Sequence, residues 1–488
     1  MHLLTRAIGR ALRTPQAPAL IAAEATLSWS ETIDSAARIA TLLQRSGVRP
    51  GQVVAISGEF SPIMQAVLIL ATWYRAAVSC TVTGQVLENP PFTLDWVISP
   101  HHPPASERSG VIVLDAEALT RLAGVDPAPA PEAYASADEV CRLVFSSGTT
   151  GSPKAIPFSI ARLTERIRSA RERWMPATPF MALLGIATVS GFQTFAEALR
   201  SGEPYLVAGT SAQNVQLLAA HRVRAIKGSP VQLAGLAAEL ERTGAQLPHL
   251  QVIESAGSML PNRLRDTLRR LTKARVVNLY GSSEVGTVAI GEPGDSVSGL
   301  AGRVVDDVEV QVVSATGEVL PEGEEGAIRV RRAGQPDGYF RDPVASHGAF
   351  HDGWFLPGDI GFLRGGELYV RGRTSEVINA AGVKVVPSAL EQSLLQVTGV
   401  DDIAVFSHAD ALGVERVTAL FVGTPDLRSR SWQARLRAEL GDAAPARCIR
   451  VARIPRNENG KILRGELAAQ VSAEDESADG PQAGASEH

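Results

Sequence analysis

The sequence predicts an α/β protein of more than one domain, and three observations carry that prediction. From about residue 27 to 300, apolar β-rich runs alternate with helical patterns. Residues 301–372 change to short strands separated by Gly/Asp turns, and a smaller α/β unit follows from about 374. The alternation is what wound sheets covered by helices require. At 488 residues the chain also exceeds one ordinary domain.

The first stretch, MHLLTRAIGRALRT, carries arginine and no acid before Glu24, a composition shared with transit peptides, but it has no signal-peptide apolar core. A first amphipathic helix accounts for Leu3, Leu4, Ile8 and Leu12. Ile33, Ala37, Ala40 and Leu43 then keep helical spacing, with Gly47 as the stop. VVAIS (53–57), GVIVLDA (110–116), RLVFSSG (142–148), LQVIESAG (250–257) and ARVVNLYG (274–281) are strand runs. Pro261 opens a helix with Leu264, Leu268 and Leu271 on one face. Beyond residue 300, EVQVVSATGEVL, GAIRVRRAG and ELYVRG predict short strands. Ser388-Ala389-Leu390-Glu391 has the spacing of a capping box, which makes Glu391 structural. The stretch 473–488, AEDESADGPQAGASEH, is acidic, rich in small residues and without apolar period, and is expected to be a disordered tail.

Composition excludes several functions. A formal charge of −5 leaves no basic surface to track phosphates, so nucleic acid is not an expected partner. Nothing approaches the ~20 uninterrupted apolar residues of a membrane span. Cys80, Cys141 and Cys448 lie far apart with no C-x-x-C, and are read as small buried apolar residues of a cytoplasmic protein. His347 and His351 stand four apart around Gly348 with no ligand cluster nearby, the pattern of a solvated turn rather than a metal site. No Gly-x-Ser-x-Gly elbow frames Ser146, Ser147, Ser282 or Ser283, which gives a serine hydrolase no support.

The chemistry concentrates in Ser146-Ser147-Gly148-Thr149-Thr150-Gly151-Ser152-Pro153-Lys154. A Gly/Ser/Thr loop after a strand offers N–H groups and hydroxyls to anionic oxygens, with a lysine at its end. Pro153 before the lysine and Ala155 after it exclude a Walker A loop. Of the 47 lysines and arginines, lysine occurs only at 154, 227, 273, 384 and 461. A compact ammonium fits between a carboxylate and a phosphate where a planar guanidinium fork does not.

SSGTTGSPK resembles the phosphate-binding signature of the acyl-adenylate-forming (AMP-binding) superfamily, which contains acyl-CoA synthetases, peptide-synthetase adenylation domains and luciferases. Further blocks follow in that family's order. Tyr280-Gly281-Ser282-Ser283-Glu284 resembles YGxTE, and Gly353-Trp354-Phe355-Leu356-Pro357-Gly358-Asp359 resembles GWFxTGD. Gly372-Arg373 through Gly382 resembles the hinge block, and Pro455 through Lys461 resembles PRxxxGK. The resemblance spans about 27–468 and is closest to acyl-CoA and acyl-carrier-protein ligases.

It implies a large N-terminal domain (1–372) of two wound α/β subdomains plus a β-rich one, and a small mobile α+β C-terminal domain (373–472). It implies an acid–thiol ligase that uses ATP and Mg²⁺ to turn a carboxylic acid into acyl-AMP. The acyl group then passes to the thiol of CoA, which is favoured, or of an acyl carrier protein's phosphopantetheine. A catalytically dead nucleotide-binding relative is the alternative of another class; Lys154, Glu284, Asp359, Arg373 and Lys461 are all present against it. Such chemistry asks for positioning and cation clamps more than for a general base. In the implied scheme loop 146–154 holds the β- and γ-phosphates, and Glu284 with Thr150 holds Mg²⁺. Tyr280 faces adenine, and Ser255-Ala256-Gly257 closes its other side. Asp359 binds the ribose, Arg373 reaches ribose or phosphate, and Lys461 meets the carboxylate and α-phosphate. The small domain then turns about Ser375, bringing the Gly382 loop to the thiol.

The chain also departs from the pattern. Ala155 stands where the family usually has Gly, Ile160 where a His is usual, Ser375 where Asp or Lys is common, and Thr188 where a His or aromatic borders the acyl channel. The segment between Thr83 and Cys141 is short. No Asp stands near Thr188 to hold an α-ammonium, so a non-amino acid, aryl or medium acyl, is expected.

Overall fold

The computed structural model describes residues 3–82, 84–103, 110–146, 153–174, 179–292, 299–380, 383–409, 415–440, 443–456, 461–464 and 467. The chain is a mixed α/β protein with two compact units. The first comprises Met1–Pro293, Val305–Val310 and Val330–Phe355; the second comprises Gly294–Val304, Gln311–Arg329 and Leu356–His488.

The first unit holds two wound sheets. In one, the strands run in the order Gly110–Val113, Trp96–Ser99, Val53–Ser57, Val78–Val82, Val140–Ser146 and Lys154–Ser159. Every neighbouring pair is parallel except the last. All five residues of Val53–Ser57 are buried, as a strand covered on both faces must be. In the other sheet, Phe180–Ala182, Ala225–Gly228, Val252–Ala256 and Arg275–Ser282 lie parallel in that order, and Gly286–Gly291 returns antiparallel. Leu268 from the helix Asn262–Thr272 is fully buried in its core, with Leu264 and Leu271 packed against it.

Local sequence rules place the helices. The helix Trp29–Ser46 starts on a capping box, Ser28 with Glu31, and stops at Gly47, whose φ of 100° suits a residue without Cβ. Such a cap contributes about 1 kcal/mol. The helix Leu3–Arg13 forms as expected, but its buried face is Leu3, Leu4, Ala7 and Ala11, while Leu12 is 80% exposed. The narrow alanine face lets the helix lie close to its neighbours, and Leu12 is one position off it.

In the second unit, Glu367–Arg373 pairs antiparallel with Leu300–Val304 on one side and with Asp359–Arg364 on the other. Gly326 and Ala327 extend the meander against Gly361 and Ile360. A smaller α/β layer follows, in which Asp402–Ala409, Glu415–Val422 and Arg447–Arg450 carry the helices Pro387–Thr398 and Arg430–Leu440 around Leu394, Val405, Phe421 and Leu436. The capping box expected at Ser388–Glu391 does not form. The helix begins at Pro387 with Val386 as its cap residue, and Ser388 Oγ donates to the Arg371 carbonyl at 2.8 Å. Glu391 is structural by another route: it accepts from Val405 N at 2.8 Å and from Arg464 at 2.7 and 2.9 Å.

Cys80, Cys141 and Cys448 are all buried and unpaired with one another. Among the described residues no helix is long and apolar enough to cross a membrane.

Candidate active site

The lysine loop is framed by an antiparallel pair. Ser146 stands opposite Lys154 at the open ends of Val140–Ser146 and Lys154–Ser159. Ser147, Gly148, Thr149, Thr150 and Gly151 lie outside the described residues, as does Gly382. Lys154 Nζ sits 5.0 Å from the centroid of the Tyr339 ring, within cation–π range. The Tyr339 hydroxyl donates to Glu284 Oε1 at 2.9 Å. One tyrosine therefore joins the loop lysine expected at the phosphates and the acid expected at Mg²⁺.

Glu284 is 7% exposed. Its backbone carbonyl accepts from Arg166 Nη1 at 2.7 Å, and the Ser283 carbonyl accepts from Arg166 Nη2 at 3.2 Å. Ser282 Oγ accepts from Val285 N at 3.4 Å. The turn around Glu284 is thus fixed from two sides, while Glu284 Oε2 has no hydrogen-bond partner among the described residues. Gly281 is dictated by packing: a Cβ there would lie 2.0 Å from the Gly286 carbonyl oxygen. Only glycine lets these two backbones approach so closely.

The residues expected to flank adenine occupy the C-terminal ends of parallel strands, where ligands of wound sheets bind. Ser255 pairs with Asn278 and Ala256 with Leu279, so the Ser255-Ala256-Gly257 turn and Tyr280 leave neighbouring strands at the same level. Tyr280 is half-buried, and Gly257 takes a φ of 97°. Ser255 Oγ and Asn278 Oδ1 are buried without a hydrogen-bond partner among the described residues. Unfilled polar atoms of this kind are rare in folded interiors.

The second unit gathers its own group. Asp359 and Arg373 face one another across adjacent strands, with Nε to Oδ1 at 3.2 Å and Asp359 buried. Lys461 lies near both. Burial pushes its ammonium down to about 8, with repulsion from Arg373 adding to the drop and Glu376 and Asp359 opposing it. Arg464, three residues on, is held by Glu376 at 3.1 Å and by Glu391. Ser375 is exposed, and Gly372 packs so tightly that a Cβ would meet Val386 at 2.2 Å.

Thr188, the position expected to border the acyl channel, is the cap of the helix Val189–Ser201. Its Oγ1 accepts from Gly191 N at 3.1 Å and donates to the Gly185 carbonyl at 2.8 Å. His347 and His351 stack edge to face at 5.2 Å. Sequence reasoning missed Tyr339, Arg166, Lys227 and Glu254. Lysine scarcity could have singled out Lys227, and a lone tyrosine in the polar run Gln335–Arg341 could have singled out Tyr339. Nothing local signals Arg166, because the carbonyls it holds lie more than a hundred residues away.

Comparisons with known proteins bear on the family and the fold. The chain is 28% identical to a 2-succinylbenzoate–CoA ligase of Bacillus velezensis, over 69% of this chain and 70% of that protein. It is 24% identical to a medium/long-chain-fatty-acid–[acyl-carrier-protein] ligase of Mycobacterium tuberculosis, covering 97% and 96%. The ATP-bound crystal structure of MatB from Rhodopseudomonas palustris superposes with a TM-score of 0.81 at 23% identity, covering 96% of this chain and 99% of that one. Residues 94–340, which run from ahead of the lysine loop through Glu284 to Tyr339, match the AMP-binding enzyme family. With its loop lysine, its YGxTE-like turn and that match over half its length, the chain belongs to the AMP-binding enzyme family.

Proposed function

We propose that this enzyme activates a non-amino carboxylic acid with ATP and transfers the acyl group to a phosphopantetheine thiol, that of CoA. One observation carries the reading. Tyr339 ties Lys154 to Glu284 beside the strand ends that bear Ser255-Ala256-Gly257 and Tyr280. A substrate carboxylate oxygen attacks the α-phosphorus, the α–β phosphoanhydride bond breaks and pyrophosphate leaves. The thiol sulfur then attacks the acyl carbon and AMP departs, the thiol proton going to solvent. Lys154 and the loop from Ser146 to Lys154 neutralise the phosphate oxygens. Tyr280 and Ser255-Ala256-Gly257 orient the base, Asp359 and Arg373 the ribose and phosphate, and Lys461 the reacting carboxylate.

Glu284 fits a Mg²⁺ site, since one carboxylate oxygen is held by Tyr339 and the other has no hydrogen-bond partner among the described residues. No cluster of three or more metal-binding side chains occurs among the described residues. One carboxylate and the expected Thr150 hydroxyl suit Mg²⁺, which keeps waters and phosphates as its other ligands. The bound ion supplies charge neutralisation at the leaving phosphates.

An acyl carrier protein presents the same thiol and is the second reading, favoured by the relatedness to a carrier-protein ligase. Three buried free cysteines suit a reducing cytoplasm. The test is acid-dependent ATP–pyrophosphate exchange over a carboxylic-acid panel, followed by mass spectrometry with CoA and with holo carrier protein. Exchange that needs both an acid and Mg²⁺ supports the reading. Nucleotide binding with no exchange for any acid overturns it in favour of a dead relative.

A further inference from the structure

A cavity of about 60 Å³ lies in the first unit, at the C-terminal ends of the strands Ala225–Gly228, Val252–Ala256 and Arg275–Ser282. The helices Ile160–Trp174 and Val189–Ser201 wall it. Glu254 immediately precedes Ser255-Ala256-Gly257, and Leu279 immediately precedes Tyr280, so the cavity adjoins the turns assigned to the adenylate. The space beside them is where the acyl part of an acyl-adenylate must go.

The cavity is unusual in its charges. Most ionisable residues lining it are already engaged. Arg166 is spent on the Ser283 and Glu284 carbonyls, Arg332 on Asp307 and the Val285 carbonyl, and Glu197 on Arg200. Lys227 and Glu254 are the exceptions. They face each other in register on adjacent parallel strands, yet neither side chain makes a hydrogen bond or an ion pair within 4.0 Å among the described residues. Glu254 is 4% exposed. Burial raises the Glu254 carboxyl and lowers the Lys227 ammonium, each opposed by attraction to the other. Leaving two such groups unsatisfied is costly, and an apolar acyl chain would leave them so.

We propose that this cavity is the acyl pocket and that it selects a hydroxyl-bearing carboxylic acid, the hydroxyl bridging Lys227 and Glu254. A hydroxyl donates to the Glu254 carboxylate and accepts from the Lys227 ammonium at once. A second carboxylate satisfies Lys227 but meets Glu254 as a like charge, and an ammonium does the converse. A plain alkyl or aryl group satisfies neither. The proposal rests on the adenylating reading above and deepens it to a substrate class.

The experiment is ATP–pyrophosphate exchange with matched acids: benzoate against its 3- and 4-hydroxy forms, and hexanoate against 6-hydroxyhexanoate. Aminobenzoate and a dicarboxylate serve as controls. A site built to bond a hydroxyl discriminates strongly against its absence. The expected result is a kcat/KM at least 100-fold higher for a hydroxy acid than for its parent. Lys227→Met should reduce that ratio below tenfold, and Glu254→Gln, which still accepts a hydrogen bond, should reduce it less. Melting temperatures of both variants establish that they fold. Exchange with parent acids within threefold of the hydroxy acids, or an unchanged ratio in folded Lys227→Met, overturns the pocket assignment while leaving the adenylating function standing. Exchange with no acid at all overturns both.

Discussion

The Tyr339 hydroxyl donates to Glu284 Oε1 at 2.9 Å while its ring lies 5.0 Å from the Lys154 ammonium. A single side chain thereby sets the spacing between Lys154, the cation proposed to meet the phosphates, and Glu284, the acid proposed to hold Mg²⁺. Tyr339→Phe keeps the ring and removes only the bond to Glu284. We expect kcat/KM for ATP to fall about 10-fold to 100-fold, as for loss of a hydrogen bond to a charged group. The Mg²⁺ concentration for half-maximal exchange should rise with it. An unchanged Mg²⁺ requirement would show that Tyr339 only packs.

Lys461→Ala should separate the half-reactions. Losing a preorganised donor to developing charge costs about 10²–10³ in rate, roughly 3–4 kcal/mol. Acyl-AMP formation should fall by that factor, while supplied acyl-AMP and thiol still give thioester near the wild-type rate. Gly382→Leu should do the reverse by obstructing the thiol. Equal slowing of both halves by Lys461→Ala would make the lysine a structural residue.

The depressed Lys461 ammonium sets a pH limit. Its value of about 8 is below the ordinary 10.5, so the protonated form predominates at neutral pH and is lost as pH rises through 8. Adenylation should therefore decline above pH 8 by about tenfold per unit, and thiol transfer should not share that limb. Lys461→Arg, which stays charged, should be slower but flat across pH 7–9.5. A Lys461→Arg profile that still falls at pH 8 would assign the limb to another group.

Glu391 holds Arg464 with two bonds and the Val405 amide with a third, and it is 8% exposed. Burial raises its carboxyl, and Arg464 counteracts that. Glu391→Ala leaves Arg464 to Glu376 and the Val405 carbonyl and unpairs the Val405 amide, and should destabilise the second unit by about 2–3 kcal/mol. Ser388→Ala removes one neutral bond to the Arg371 carbonyl and should cost about 1 kcal/mol. Urea unfolding of the full chain measures both. Comparable losses would mean that Glu391 carries no buried pair.

Gly281→Ala should abolish nucleotide binding without a metal effect, because its Cβ would overlap the Gly286 carbonyl oxygen and push apart the hairpin that carries Tyr280 and Glu284. Calorimetric ATP titration reads this directly. Near wild-type affinity would show that the turn relaxes freely.

Much of the fold is written locally. Val53–Ser57, Val140–Ser146, Val252–Ala256 and Arg275–Ser282 are strands where β-rich runs stand between turn residues, and Gly47 ends its helix. These depend on periodicity and on φ, which a few neighbouring residues fix. Where sequence reading erred, a distant partner had intervened. Leu12 is exposed because the neighbouring elements of Leu3–Arg13 cover the face of Leu3, Leu4, Ala7 and Ala11, and Leu12 lies off it. Ser388 looks like a cap but spends its hydroxyl on Arg371, seventeen residues back.

By itself the sequence determined the alternation that winds the sheets, the lysine loop, the turn at Tyr280–Glu284 and the scarcity that marks Lys154 and Lys461. Those are properties of residue type and spacing along one chain. Only the tertiary structure decided that Tyr339 stands between Lys154 and Glu284, that Arg166 clamps the Ser283–Glu284 turn, and that Lys227 and Glu254 share a cavity. These contacts join residues from 27 to 185 positions apart, and strand register and helix packing bring them together. Hydrogen bonds and charges act over a few ångströms, so their partners are chosen by the fold and not by the neighbours in the chain.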